Sequence, residues 1–269
     1  MINQIFMKNG FVTGMTSSHG IFIDGQCVEE GDTTGYKSAR RVLNNRQIDI
    51  AVMETARGGI LRNGLGYQRA DAAVFTNLSN DHLGVDGVNS MEELLHIKSL
   101  VTEAVKPQGY CVLNADDPWI MKALEKAGGK IVLFSAESNN VNIIRHVKEG
   151  GMAVYLDQGS IFIEKNGKQE YVIDIYSIPA TLSGKLKHNI YNSLAAIGAC
   201  YVLGVPLINI NKAMRTFSCK PDMNAGRFNI YELGQVKVVM DYGHNYEGYK
   251  VTIDGLRALS PAGLIGVIG

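Results

Sequence analysis

Short apolar runs recur through the first half of the chain, at Phe11–Met15, Ile48–Met53, Ala72–Phe75, Tyr110–Leu113 and Ile131–Phe134. Each ends in polar or glycine-rich sequence, and helical patterns lie between them at Ser38–Asn44, Ser90–Lys106 and Trp119–Ala127. Near-continuous hydrophobicity over so few residues suits strands covered on both faces. Strands of that kind need helical crossovers, so the pattern predicts an α/β fold with a mostly parallel sheet flanked by helices.

The texture changes between Val141 and about Ile178, where alternating segments surround the turn signal Asn166-Gly167. This predicts a small antiparallel β excursion, at about 141–180. Helices are expected from Lys187 to Leu203 and from Ile208 to Phe217. The stretch CKPDMNAGR, with Pro221, Asp222 and Gly226, reads as a linker. Beyond it, Val236–Met240, Tyr246–Leu259 and Leu264–Ile268 read as one βαβ unit. One such unit buries too little surface to offset its ordering cost. The expectation is a first domain over 1–220 and the start of a second α/β domain over 221–269, cut short at its C-terminus.

With 26 basic and 26 acidic side chains, the chain offers no electrostatic reason to expect nucleic acid or an anionic membrane as partner. Cys27, Cys111, Cys200 and Cys219 form no C-x-x-C pair, so neither a zinc site nor a disulfide framework is indicated. The start lacks a signal-peptide pattern, and the apolar run Ile197–Ile208 is broken by Gly204 and Pro206. These features predict a cytoplasmic protein with a small-molecule substrate.

One residue resists the helix pattern. Ser90 and Glu93 form a capping box for a helix whose apolar face is Leu94, Ile97, Val101, Ala104 and Val105, and Lys98 falls within that face. Two readings are open. The stem can lie buried while the amine snorkels to water, or burial can hold the amine neutral for a chemical purpose. Glu54 ends one predicted strand and Thr76-Asn77 another, with Asp81-His82 in the following loop. Ligands of open α/β sheets collect beyond the carboxyl ends of the strands, so these groups can converge. A carboxylate and an imidazole there could bind a divalent cation, although each has an ordinary structural alternative as a cap or a loop hydrogen-bond partner.

Taken in order, ETARGGILRNGLG, TNLSNDHLGVDG, the HIKSLV helix, NADDP, HNIYNSLAA, GRF and DYGHN resemble the ATP-dependent Mur ligase superfamily. GDTTGYKSARRVL and ETARGGILR carry a narrower resemblance to the Mur-ligase-like region of the cyanophycin synthetases. The resemblance implies that Glu54 and His82 are magnesium ligands and that Lys98 is the lysine carbamylated in many members. Only a neutral amine attacks carbon dioxide, and the resulting carbamate is an anion able to help position magnesium. It also implies that Asn192 contacts adenine, with His188 one turn earlier. Arg227 would reach the ATP phosphates and Asp241 the ribose. The TSSHG and GDTTG loops, with Thr33 and Thr34, together with Arg57 and His244, would lie on the substrate side. In the family the first loop more often carries Asp where this chain has His19.

The implied reaction is ATP activation of a carboxylate to an acyl phosphate, followed by amine attack to form an amide. For the cyanophycin type, arginine would be joined to aspartate side chains of a peptide-like acceptor; homo-oligomers are left open. The phosphate-gripping motif G-x-x-x-x-G-K-[ST] is absent: Gly129-Lys130, Gly167-Lys168 and Gly184-Lys185 precede Ile131, Gln169 and Leu186. The resemblance places that motif just before a first helix at INQIFMKNG, so the chain by itself is expected to be a poor ligase. Two other readings stay open. One is a non-catalytic scaffold or partner subunit needing a chain that bears the phosphate loop. The other is a metal-dependent hydrolase using Glu54, His82 and a carbamylated Lys98, which needs more histidines than lie nearby, since His96 faces elsewhere on the helix.

Overall fold

A computed structural model describes residues 1–80 and 83–268, which leaves Asp81 and His82 outside the described residues. The chain opens with α1 (Ile2–Lys8), β1 (Thr13–Ser17), β2 (Gly20–Ile23), β3 (Gln26–Glu30), α2 (Tyr36–Leu43), β4 (Ile50–Met53), α3 (Arg57–Asn63) and β5 (Ala70–Phe75). Then come α4 (Met91–Glu103), β6 (Val105–Asn114), α5 (Pro118–Lys122), β7 (Lys130–Ser135), α6 (Val141–Lys148), β8 (Met152–Asp157), β9 (Ser160–Lys165) and β10 (Lys168–Asp174). The last elements are α7 (Lys187–Val202), α8 (Leu207–Met214), α9 (Pro221–Asn224), β11 (Asn229–Leu233), β12 (Val236–Met240) and α10 (Tyr246–Ala258).

One sheet has the order β3-β2-β1-β4 and a larger one the order β10-β9-β8-β7-β6-β5. β1 and β4 are parallel, as are β5 through β8, while β2–β3 and β9–β10 add antiparallel edges. The α/β expectation therefore holds. Alternate residues of the larger sheet feed two apolar layers. Val112, Val132, Phe134 and Val154 pack with α1, α7 and α8, and Cys111, Leu113, Leu133 and Ala153 pack with α3 to α6.

The β-rich segment starts later than expected, because Val141–Lys148 is helical. Asn140 caps it by accepting from Asn142 N and Ile143 N, and Ile143 with Val147 turns inward at helical spacing. β8 then joins the sheet parallel to β7, so only β9 and β10 are antiparallel in this segment. The expected C-terminal βαβ unit is also corrected. β12 pairs antiparallel with β11, and Leu264–Ile268 is exposed without strand pairing. The β2–β3 hairpin, α9, β11 and α3 escaped the pattern altogether. The last of these contains Gly58 and Gly59, poor helix formers. Gly59 is needed there, because a Cβ would stand 3.0 Å from the Thr34 carbonyl oxygen and 3.1 Å from Gly35 Cα.

Helix α7 settles onto β6, β7 and β8 through a small residue. A Cβ on Gly198 would stand 3.2 Å from Val112 Cγ1 and 3.3 Å from Val154 Cγ2. Gly198→Leu is expected to destabilise the fold by about 1–3 kcal/mol through overpacking, and Gly198→Ala by less; denaturant unfolding measures both.

Candidate functional site

Glu54 follows β4 directly, and its backbone N–H donates to the Thr16 carbonyl at 3.1 Å, which continues the pairing of β1 with β4. Its side chain is exposed, and Oε2 accepts from Ser18 N–H at 3.2 Å. That bond ties the TSSHG loop to the carboxylate, a link for which the sequence offered no signal. Thr76 and Asn77 occupy the corresponding place after β5. The NADDP segment sets their loop: Asn114 Nδ2 donates to the Thr76 carbonyl at 2.8 Å, and Asp117 Oδ2 accepts from Leu78 N–H at 2.7 Å. Asp117 also caps α5, so one carboxylate fixes both a helix start and the loop leading to Asp81 and His82.

The capping box at Ser90 and Glu93 forms as the sequence predicts. Lys98 is half-buried on the α4 face that also carries buried Leu94 and Ile97, and α4 packs against β5 and α3. α3 is the helix that follows Glu54. His96 is exposed and lines a separate cavity of about 440 Å³ with Leu61, Asp86, Glu92 and Glu93. Among the described residues no group of three or more His, Cys, Asp and Glu side chains is placed to hold a metal. Glu54 by itself suits magnesium, an ion that keeps much of its water and takes one or two protein carboxylates plus phosphate oxygens.

The expected substrate-side residues divide into two kinds. Thr33 and Thr34 are buried with their hydroxyls engaged internally: Thr33 Oγ1 donates to the Ser17 carbonyl at 2.8 Å, and Thr34 Oγ1 to Asp32 Oδ1 at 2.7 Å. They shape the GDTTG loop. Arg57 is also buried, and its guanidinium donates to the Val85 carbonyl at 2.8 Å and to Asp86 Oδ2 at 3.2 Å, which anchors the loop ahead of α4. His244 is exposed, with its ring beside Tyr242.

The expected nucleotide-side residues come together across the linker. His188 sits in the first turn of α7, its ring 6.3 Å from that of Phe228. Burial lowers its pKa, and the nearby Asp241 charge partly offsets this. Among the described residues the His188 Nδ1 is buried with no hydrogen-bond partner, a costly state that a ligand polar group would relieve. Asn192, one turn on, is exposed, with Nδ2 3.3 Å from Asn189 Oδ1. Asp241 accepts from Phe228 N–H, Gly243 N–H and Thr252 Oγ1, each at 2.9 Å. Arg227 places its guanidinium 5.1 Å from the centre of the Tyr242 ring, a cation–π contact not legible in the sequence. The TSSHG loop reaches this cluster, since a Cβ on Gly226 would lie 3.6 Å from His19 Nε2. The orphaned imidazole nitrogen, the arginine and the anchored carboxylate fit the donors and acceptors of a nucleotide.

A model of the Mur ligase middle domain matches residues 1–200. The chain belongs to this family. Cyanophycin synthetase of Synechocystis sp. is 36% identical over 257 residues, 96% of this chain and 29% of the relative. The UDP-N-acetylmuramoyl-L-alanyl-D-glutamate--2,6-diaminopimelate ligase of Clostridium botulinum is 27% identical over 277 residues, covering 100% of this chain and 53% of that ligase. The chain thus spans under a third of the first relative. A solved structure of a diaminopimelate ligase of the same name superposes with a TM-score of 0.68 at 17% identity, over 96% of this chain and 50% of that one. That likeness fixes the Mur ligase fold.

Two half-buried histidines are expected to make the stability of this Mur ligase domain depend on pH. Desolvation lowers the pKa of His188 and of His146, whose ring packs over Gly151. The unfolded chain takes up these protons near pH about 6.5, before the folded chain does. Stability should therefore be full above that value and fall as pH drops through it. The double variant His146→Asn/His188→Phe should flatten this slope in urea unfolding compared at pH 7.5 and 5.5, two conditions about one unit either side of the free imidazole value.

Proposed function

We propose that this chain is part of an ATP-dependent ligase that joins a carboxylate to an amine, of the cyanophycin synthetase type. The observation that carries the reading is the convergence of His188, Arg227 and Asp241 across the linker, with a buried imidazole nitrogen left unpartnered. Asn192 and His188 would face the base, Asp241 the ribose and Arg227 the phosphates, where a planar cation matches phosphate oxygens. The likeness to cyanophycin synthetases favours arginine as the amine and aspartate side chains of a polymer as the acceptor.

In the reaction, the acceptor carboxylate attacks the terminal phosphorus of ATP to give an acyl phosphate and ADP. The amine then attacks the acyl carbon, and inorganic phosphate leaves. Magnesium, when bound, would neutralise charge on the transferred phosphoryl group. Glu54 and His82 would hold it, together with a carbamate on Lys98. Carbamate formation on Lys98 requires its neutral amine, since only that form attacks carbon dioxide.

Because the chain has no phosphate loop motif, the reading assigns it the nucleotide-base and magnesium contacts but not the phosphate grip. Phosphate release by the purified chain with ATP and arginine should fall far below ordinary enzyme rates of about 1–1000 per second; turnover in that range would refute the assignment. Saturation-transfer NMR with ATP should mark the adenine and ribose protons, and Asp241→Ala should weaken that binding by about tenfold or more. No transfer to the wild-type chain would sink the nucleotide reading. Incubation with carbon-13 bicarbonate should yield a carbamate resonance that Lys98→Arg abolishes.

A further inference from the structure

Helix α6 covers β7 and β8 on one face of the larger sheet, and beyond it β9 and β10 carry that face outward. The registers Tyr155↔Phe162 and Phe162↔Tyr171 run an aromatic ladder across β8, β9 and β10, with ring centres 6.3 and 6.0 Å apart. Between this ladder and α6 lies a cavity of about 660 Å³. It is at the end of the sheet away from β5, the strand that Thr76 follows.

Three charged side chains line the cavity, Lys148, Asp157 and Glu164. Asp157 ends β8, whereas Glu164 stands opposite Ala153, four residues earlier on that strand. Lys148 ends α6, just before the turn that brings the chain to Met152, so it lies at the Glu164 end. Four residues of strand separate the two ends by about 13 Å. Between them α6 offers the exposed Ile144 and the half-buried Val147, and β8 offers the Tyr155 ring.

Hydrogen bonds hold both carboxylates in place without neutralising them. Asp157 Oδ1 accepts from Ser138 Oγ at 2.7 Å. Glu164 Oε2 accepts from Tyr155 OH at 2.7 Å, and Gln169 Nε2 donates to the same phenol oxygen at 2.9 Å. Burial and the bond to Glu164 push the Tyr155 phenol up to about 12, so it stays the donor and Glu164 the anion. A carboxylate has about four acceptor positions, so each keeps room for a further donor. Among the described residues neither carboxylate is in an ion pair, and nor is Lys148. Two carboxylates and one ammonium leave one negative charge uncompensated across an apolar floor.

We infer that this cavity is a binding site for a free α-amino acid with a cationic side chain, of the lysine or arginine class. The α-ammonium would sit on Glu164 and the α-carboxylate on Lys148. The methylene stem would lie along Ile144, Val147 and the Tyr155 ring, with the side-chain cation on Asp157. Two charge-assisted contacts of about 2.8 Å reduce the span to about 7–8 Å, the reach of about six extended single bonds of about 1.5 Å. Selectivity follows from what each wrong ligand leaves unpaired. A neutral amino acid strands Asp157, and an amine without a carboxylate sets its charge against Lys148. The inference does not rest on the ligase reading.

The test is titration of the purified chain without nucleotide, followed by amide NMR. L-Arginine and L-lysine should shift Ile144, Val147, Lys148, Asp157 and Glu164 saturably. Citrulline, agmatine and Nα-acetylarginine each lack one of the three charges and should bind about tenfold or more weakly. Asp157→Asn keeps an acceptor for Ser138 and should remove the preference for arginine over citrulline. Lys148→Met should remove the preference for arginine over agmatine. Equal binding of the analogues by the unaltered chain, preferences that survive both substitutions, shifts confined to Glu54 and Thr76, or shifts that never saturate would overturn the inference. So would ligand-independent shifts that rise with protein concentration in step with dimer formation by sedimentation, since a second copy would then fill the cavity.

Discussion

Helix α7 is the constraint on which the rest of the structure depends. From Asn189 to Cys200 it is buried over most of its surface, with small residues Ala195, Ala196, Gly198 and Ala199 along it. A helix buried nearly all round has no solvent face to adjust, so its neighbours must conform to it. It lies across the parallel strands β5 to β8, against α1 and α8, and against α10 beyond the linker. The N-terminal turn of this rigid rod carries His188, and that is why the junction with the C-terminal segment is built around an imidazole. A Cβ on Gly255 of α10 would stand 2.7 Å from Leu186 Cδ2 and 2.9 Å from the Phe228 ring, so the absence of a side chain lets α10 approach closely.

Much of the fold could be read from the sequence because parallel strands advertise themselves. Runs such as Tyr110–Leu113 and Ile131–Phe134 are apolar on every residue, since both faces are covered. What escaped reading depended on tertiary contacts. α3 contains two glycines and has no helical signature, and Gly59 lies close against the Thr34–Gly35 backbone, a contact between distant segments. The helix at Val141–Lys148 is too short to show its period beside the alternating strands that follow. β12 was placed correctly, and its partner is β11, joined to it by the two-residue turn Gly234-Gln235.

The places of the candidate residues in the fold were legible to the same degree. Glu54 and Thr76 stand at strand ends, a position that follows from topology once the strands are known. Ser18 N–H on the Glu54 carboxylate, and Tyr242 beneath Arg227, are contacts between distant segments that no spacing encodes. Thr33 and Thr34 show the converse. Their motif is conspicuous, yet their hydroxyls bond within the protein and serve loop geometry. A conspicuous polar residue and a reactive one are separated only by where its hydrogen bonds go.

The Asp241 carboxylate holds Phe228, next to Arg227, on one side and Thr252 of α10 on the other. It rivets the exit of the linker to the helix beyond it. Phe228 is itself buried in the core that holds α7, so loss of this one carboxylate would unseat Arg227 and α10 together from the rod that carries His188.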